Sequence, residues 1–205
     1  MTVSVYSYTI YHSPNAYLGT VLLRRAVSDL PGVELVRRPI CVPRERGLMI
    51  ADLLDGKENK NAGSYNREDC RRWSERFAIP MSYPDPNVFH ERAQRWATSP
   101  FDREELPARA FYAADPGKRD NLDRALFVAA WVEGLDVNEA ATIGWASERA
   151  GLDPKRVMAA LNDDQAVTLT RQFDDRHLGR GKNRRPNRPS NKAWSRLSRI
   201  PGSAA

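Results

Sequence analysis

Cysteine is nearly missing from this chain of 205 residues, and with it goes a class of chemistry. The two present, Cys41 and Cys70, are too far apart for a C-x-x-C redox pair, and with His12, His90 and His177 they form no metal knuckle. One widely separated couple suits buried thiols in a reducing compartment better than a disulfide scaffold. Long apolar runs are absent too. Nowhere do about 18 apolar residues follow one another, which argues against a membrane helix. The N-terminus lacks a basic stretch leading into an apolar run and cleavage site. A soluble cytoplasmic protein with no membrane partner is the expectation.

Acidic residues are missing from one place only. Gly179 to Ala205 holds eight basic residues, Arg180, Lys182, Arg184, Arg185, Arg188, Lys192, Arg196 and Arg199, and no Asp or Glu. Setting those eight aside leaves 24 Lys plus Arg against 26 Asp plus Glu, so Met1 to Leu178 carries a formal net charge of −2 although the whole chain carries +6. The basic balance therefore belongs to the tail. Its arginines lack interleaved aromatics and offer only salt-sensitive phosphate attraction, so nucleic acid is not the expected partner. With three prolines and almost no apolar periodicity, the tail has little to offset ordering entropy and reads as disordered. Trp194, Leu197 and Ile200 are its only helix-like spacing. Over the whole chain 41% of residues are apolar, enough for a core.

What is present begins with a strand and a helix. Val3, Val5, Tyr6, Tyr8, Ile10 and Tyr11 form a β-branched and aromatic run that ends at His12. Ser13 then sits where a helix cap belongs and Pro14 at N1, where a missing amide proton costs no intrahelical bond. Leu18, Val21, Leu22 and Ala26 recur at helical spacing and predict one buried face, with a stop near Pro31-Gly32. Val33, Leu35 and Val36 lead to a second strand near Pro39, Ile40 and Val42. A strand, helix and strand in this order predict a parallel pair. The sequence then turns helical. Leu48 to Leu54 suggests a short helix, and Asn66 with Asp69 has capping-box spacing before a helix with Cys70, Trp73 and Phe77 on one face. Pro80, Pro84 and Pro86 impose a loop. Helices are expected around Phe89 to Trp96, Glu104 to Tyr112 and Leu122 to Glu133. Asp136 with Glu139 predicts a further start, Ile143, Ala146 and Ala150 a buried face, and Gly151 a left-handed end. Asp153-Pro154 starts another through Val157, Met158 and Leu161, and Gln165 to His177 suggests one more.

Few residues suggest chemistry. Ser13 stands where helix amides point outward and negative charge is favoured, so its hydroxyl is placed to donate to a thiolate. Capping alone also accounts for it, and His12, its neighbour in sequence, should project differently and not serve as its base. Lys60, Asn61 and Tyr65 follow a loop and are candidates to contact a carboxylate or amide. Asp69 and Arg72 have the spacing of a helix-surface pair. Trp73, Trp131 and Trp145 read as core, and no three converging groups suggest a metal.

Ser13-Pro14-Asn15-Ala16-Tyr17-Leu18-Gly19 resembles the S-P-x-x-Y-L-G element of 2-hydroxychromene-2-carboxylate isomerases and kappa-class glutathione transferases, in the DsbA-like branch of the thioredoxin superfamily. Arg38-Pro39-Ile40, the run Tyr65 to Trp73, Phe127 to Val137 and Ala150-Gly151-Leu152-Asp153 extend the resemblance in order. It implies an α/β, thioredoxin-like (DsbA-like) fold over 1–178 with a large helical insertion at about 44–165, before the tail 179–205. The family's Val-Pro strand and the strand after it have no counterpart in Arg180 to Pro189, so the C-terminal strands are expected to be lacking, through a truncation, a rearrangement or a shifted reading frame near Leu178. The resemblance further implies glutathione as cofactor, Ser13 as the catalytic hydrogen-bond donor to its thiolate, and Lys60 and Asn61 as its contacting loop. The substrate would be a small aromatic or electrophilic molecule, and a homodimer is compatible. Isomerisation of 2-hydroxychromene-2-carboxylate is the leading activity. A kappa-like transferase, a DsbA-like thiol-disulfide oxidoreductase and an inactive binding scaffold are the alternatives.

Overall fold

The computed structural model describes residues 2–41, 60–85, 87–88, 91 and 105–171, excluding the side chains of 60–64. The expectations for Leu48 to Leu54, for nearly all of Phe89 to Trp96, and for the tail 179–205 lie outside these residues.

Strand β1 (Val3–Thr9) leads through Tyr11 and His12 into helix α1 (Pro14–Ser28), which returns the chain to strand β2 (Val33–Pro39). The strands pair in parallel, Val5 opposite Leu35 and Ser7 opposite Arg37, as a helical crossover requires. Val5, Ser7 and Thr9 turn to the more covered face of the sheet, while Ser4, Tyr6 and Tyr8 alternate onto the exposed one. Among the described residues the sheet has these two strands.

Among the described residues the helical insertion comprises α2 (Lys60–Arg76), α3 (Leu106–Ala113), α4 (Arg119–Trp131), α5 (Ala140–Arg149) and α6 (Pro154–Ala160). Residues 164–171 are helical as well. α4 is the central rod. Leu122, Leu126, Phe127, Ala129 and Trp131 are buried on it, and the Phe127 ring lies 4.8 Å from that of Tyr11 and 6.1 Å from that of Tyr17. Ile143, Ala146 and Ala150 of α5 join this core, as their spacing predicts. Gly151 adopts φ 72°, and Leu152 N–H returns to the Ser147 carbonyl at 2.9 Å. This is the left-handed helix end that a Cβ would strain. Asp153 caps α6 by accepting from the Lys155 amide at 2.9 Å. The whole is a mixed α/β, thioredoxin-like fold with a substantial helical insertion and a small, open sheet.

Several local expectations fail for tertiary reasons. Asn66 does not cap α2; it lies well inside the helix, which begins at Lys60. Asp136 caps a turn instead, accepting from Asn138 N–H at 3.0 Å, and α5 begins four residues later at Ala140. Arg72 pairs with Glu68 at 3.2 Å, not with Asp69. Trp131 is core, but Trp73 is 39% exposed and stacks on Phe77 at 5.3 Å, while Trp145 is partly buried under the Arg149 guanidinium. Ala26 is exposed. Leu18 is buried and Val21 and Leu22 pack against the core as their spacing predicts, with Tyr17 and Thr20 buried beside them.

Thr20 faces a buried ionic cluster. Arg37 on β2 donates to Asp123 at 3.1 Å, to Ser7 and Thr9 on β1, and to Thr20. Asp123 also accepts from the Tyr11 phenol at 2.8 Å and from Arg24. Sheet, α1 and α4 are thus held by one fully ligated carboxylate. A buried pair adds little net stability over apolar packing, but losing one partner leaves the other uncompensated.

Candidate functional site

The site forms where β1 hands over to α1. Ser13 takes an extended backbone, φ −100° and ψ 120°, so its side chain folds back over the first turn and accepts from Ala16 N–H at 3.2 Å. That bond uses an oxygen lone pair and leaves the hydroxyl proton without a described acceptor. Ser13 is half-buried, not sealed in packing. The Tyr17 amide returns to the Ser13 carbonyl, whereas the Asn15 amide donates to no described group. A donor hydroxyl and an orphan amide therefore meet at the positive end of the helix dipole.

The elements around this turn are fixed from below. Trp131 donates its indole N–H to the Tyr11 carbonyl at 2.8 Å, and the Tyr17 phenol donates to the Pro80 carbonyl at 2.7 Å. His12 turns away from Ser13, with Nε2 2.8 Å from the Asn138 amide nitrogen. Burial lowers its pKa, an effect the Asn138 contact and the Asp136 charge oppose. Its Nε2 is held by the turn that leads into α5.

α2 supplies the other wall. The Asn15 side chain donates to Asn66 at 3.0 Å, and the Cys70 thiol donates to Asn15 at 3.2 Å. Cys70 is fully buried; desolvation, aided by the Asp69 charge, pushes its thiol up to about 11. It is a protonated donor, not a nucleophile. Tyr83 hydrogen-bonds Asn66, and its phenol pKa is raised chiefly by burial. The Arg67 guanidinium lies 4.6 Å over the Tyr83 ring. Cys41 is also a buried free thiol.

Of the residues singled out in the sequence, Ser13 stands at this turn. Lys60 and Asn61 lie in the first turn of α2, with side chains outside the described residues, and Tyr65 is 68% exposed. Asn15, Asn66, Cys70 and Tyr83 were missed as a group. Asn15 meets Asn66 and Cys70 across 51 and 55 positions of the chain where α1 and α2 cross, and no local spacing signals that. No described helix is long and apolar enough to cross a membrane. There is no cis peptide bond among the described residues.

The model of the DSBA-like thioredoxin domain matches residues 4–181. The chain belongs to that family. Among solved structures, this DSBA-like domain is similar to a 2-hydroxychromene-2-carboxylate isomerase, with 19% identity, a TM-score of 0.62, and coverage of 87% of this chain and 80% of the other. It is also similar to a proposed protein disulfide isomerase from Nitrosomonas europaea, with 11% identity, a TM-score of 0.60, and coverage of 88% and 80%. At such identities the likeness is one of fold. No curated protein matches the chain. In this DSBA-like domain the turn at the start of α1 carries a serine hydroxyl, and neither described cysteine belongs to that turn.

Proposed function

We propose that this DSBA-like domain is a glutathione-dependent isomerase of the 2-hydroxychromene-2-carboxylate type, with Ser13 as the residue that holds the thiolate. The observation that carries this reading is the uncommitted Ser13 hydroxyl proton beside the free Asn15 amide at the start of α1. Two donors at a positive helix end fit a sulfur anion, so the residues present suit the thiol of the tripeptide. Glutathione, when bound, supplies a thiolate that adds reversibly to an unsaturated carbon, freeing rotation about the former double bond before elimination releases the thiolate again.

The chain's own part is electrostatic. Ser13 keeps its proton and donates it as a hydrogen bond, holding the negative charge at one point without becoming a nucleophile. Its cap to Ala16 fixes the rotamer, so no reorganisation is required when the anion arrives. His12, engaged by Asn138, takes no proton from it. Lys60 and Asn61 belong to this reading as candidate contacts of the tripeptide.

Direct thiol-disulfide exchange is the weaker alternative. A serine forms no mixed disulfide, and Cys70 is buried with a thiol pushed up to about 11. Purified protein mixed with glutathione and 2-hydroxychromene-2-carboxylate should give a glutathione-dependent spectral change that Ser13→Ala diminishes. No such change, with wild type and Ser13→Ala alike, overturns the proposal. Accumulation of a glutathione conjugate would point to a transferase. Failure to bind glutathione alongside reproducible capture of a defined macromolecular partner would point to an inactive scaffold.

A further inference from the structure

Among the described residues Arg67 is a cation without a counter-ion. Its neighbours on the outer side of α2 are spoken for: Arg71 binds Glu68 and Glu75, and Arg72 binds Glu68. Arg67 joins none of these bridges and forms no ion pair among the described residues; its one described contact is the Tyr83 ring. Asp69, two positions on, lies about 200° round the helix axis and so faces away. Arg67 is half-buried, so its guanidinium is partly desolvated yet reachable. Its guanidinium carbon lies 4.6 Å from the centre of the Tyr83 ring, and its N–H groups donate to no described acceptor, so they can meet a planar anion in the paired geometry that carboxylates favour.

Its platform is tied to the turn that carries Ser13. Tyr83 packs 5.7 Å from Trp131, whose indole holds the Tyr11 carbonyl just before that turn. Asn66, next to Arg67 on α2, bonds both Tyr83 and Asn15, the second residue of α1. A short chain of contacts, Arg67 to Tyr83 to Asn66 to Asn15, therefore runs from the cation to the residue that lies two positions after Ser13. We propose that Arg67 is a binding residue for a carboxylate of the ligand whose reactive centre sits at Ser13. This rests on the reading of Ser13 given above and adds a specificity element to it. The carboxylate belongs either to the tripeptide or to the aromatic acid. Both present the same planar anion, and a neutral electrophile of similar shape gains nothing from it.

The test compares wild type, Arg67→Ala and Arg67→Lys, all checked by thermal melt for intact folding. Three probes are used: glutathione, glutathione monoethyl ester, and 2-hydroxychromene-2-carboxylate. Binding is followed through the Arg67 Nε–H resonance and by calorimetry. Losing a charge-assisted pair should weaken binding about tenfold or more, with Arg67→Lys in between. If Arg67→Ala weakens glutathione but not its ester, the glycyl carboxylate of the tripeptide is the partner, and if it weakens both alike, the γ-glutamyl carboxylate that the ester keeps is the partner. If it raises KM for the chromene carboxylate and leaves kcat and glutathione affinity unchanged, the substrate supplies it. If wild type binds glutathione and turns over while Arg67→Ala matches it with every probe, the Arg67 proposal fails and the Ser13 reading stands. If wild type binds no glutathione, the Ser13 reading fails. Arg67 is then judged on the chromene carboxylate alone, and an unmoved Nε–H resonance overturns it.

Discussion

Ser13 does two jobs that substitution can separate. Its oxygen caps α1 at 3.2 Å from the Ala16 nitrogen, at the long end of hydrogen-bond range, so Ser13→Ala should cost only about 0.5–1 kcal/mol of stability, the lower part of the capping range. Its proton, if it meets a thiolate, makes a bond to a charged acceptor worth about 1.5–3 kcal/mol. At about 1.4 kcal/mol per pK unit, removing it should raise the pKa of bound glutathione by about one to two units and cut the thiolate present at neutral pH in proportion. Ser13→Asp is the informative variant. Aspartate caps a helix as well as serine, so the urea midpoint should stay near wild type, but a carboxylate beside sulfur repels the anion. Ser13→Thr keeps both the cap and the donor and should retain most activity. The assays are urea unfolding, ultraviolet titration of the bound thiolate, and turnover of 2-hydroxychromene-2-carboxylate. Ser13→Asp turning over like wild type, or Ser13→Ala leaving the thiol titration unmoved while lowering stability, would show that this hydroxyl is a cap alone.

Asp123→Ala should destabilise the fold by about 3–5 kcal/mol in urea, because Arg37 and Tyr11 lose their buried acceptor; replacing Arg37 and Asp123 together by methionine and leucine should recover much of it. A single-variant loss under about 1 kcal/mol, below the range for a broken buried pair, would refute that account. Burial lowers the folded-state pKa of His12 from its ordinary 6.5, so the folded chain binds fewer protons than the unfolded one. Its contribution is therefore complete above about pH 6.5 and lost as pH falls through the lowered folded value. His12→Gln should flatten that part of a stability-pH curve, and an unchanged slope would count against it. Cys70, with its thiol pushed up to about 11 and no exposed surface, should resist iodoacetamide at pH 8 until urea opens the fold; native-state alkylation at the rate of free cysteine would contradict its buried placement.

Local signals read well wherever one short stretch contains the whole physics. Ser13-Pro14 and Asp153-Pro154 each hold a cap and a compatible N1, so both helices begin where those residues predict. Gly151 closes α5 because a left-handed residue is a property of one backbone position. Ile143, Ala146 and Ala150 are buried because apolar side chains at helical spacing have one way to leave water. Where competing partners existed, local spacing misled. Asn66 has the spacing of a cap yet lies inside a longer helix, where its side chain answers Asn15.

The sequence by itself determined the strand, helix and strand that place Ser13 at a helix start, and the family that this order belongs to. Only the tertiary structure decided what surrounds that serine. It engaged His12 with Asn138, brought Asn66 and Cys70 beside Asn15, and set an arginine-carboxylate cluster against Thr20 and Arg24 of α1, alongside the apolar residues of that helix. The reason is range: caps and periodic faces act over a few residues, whereas partners for buried polar groups are chosen by which distant elements happen to pack together.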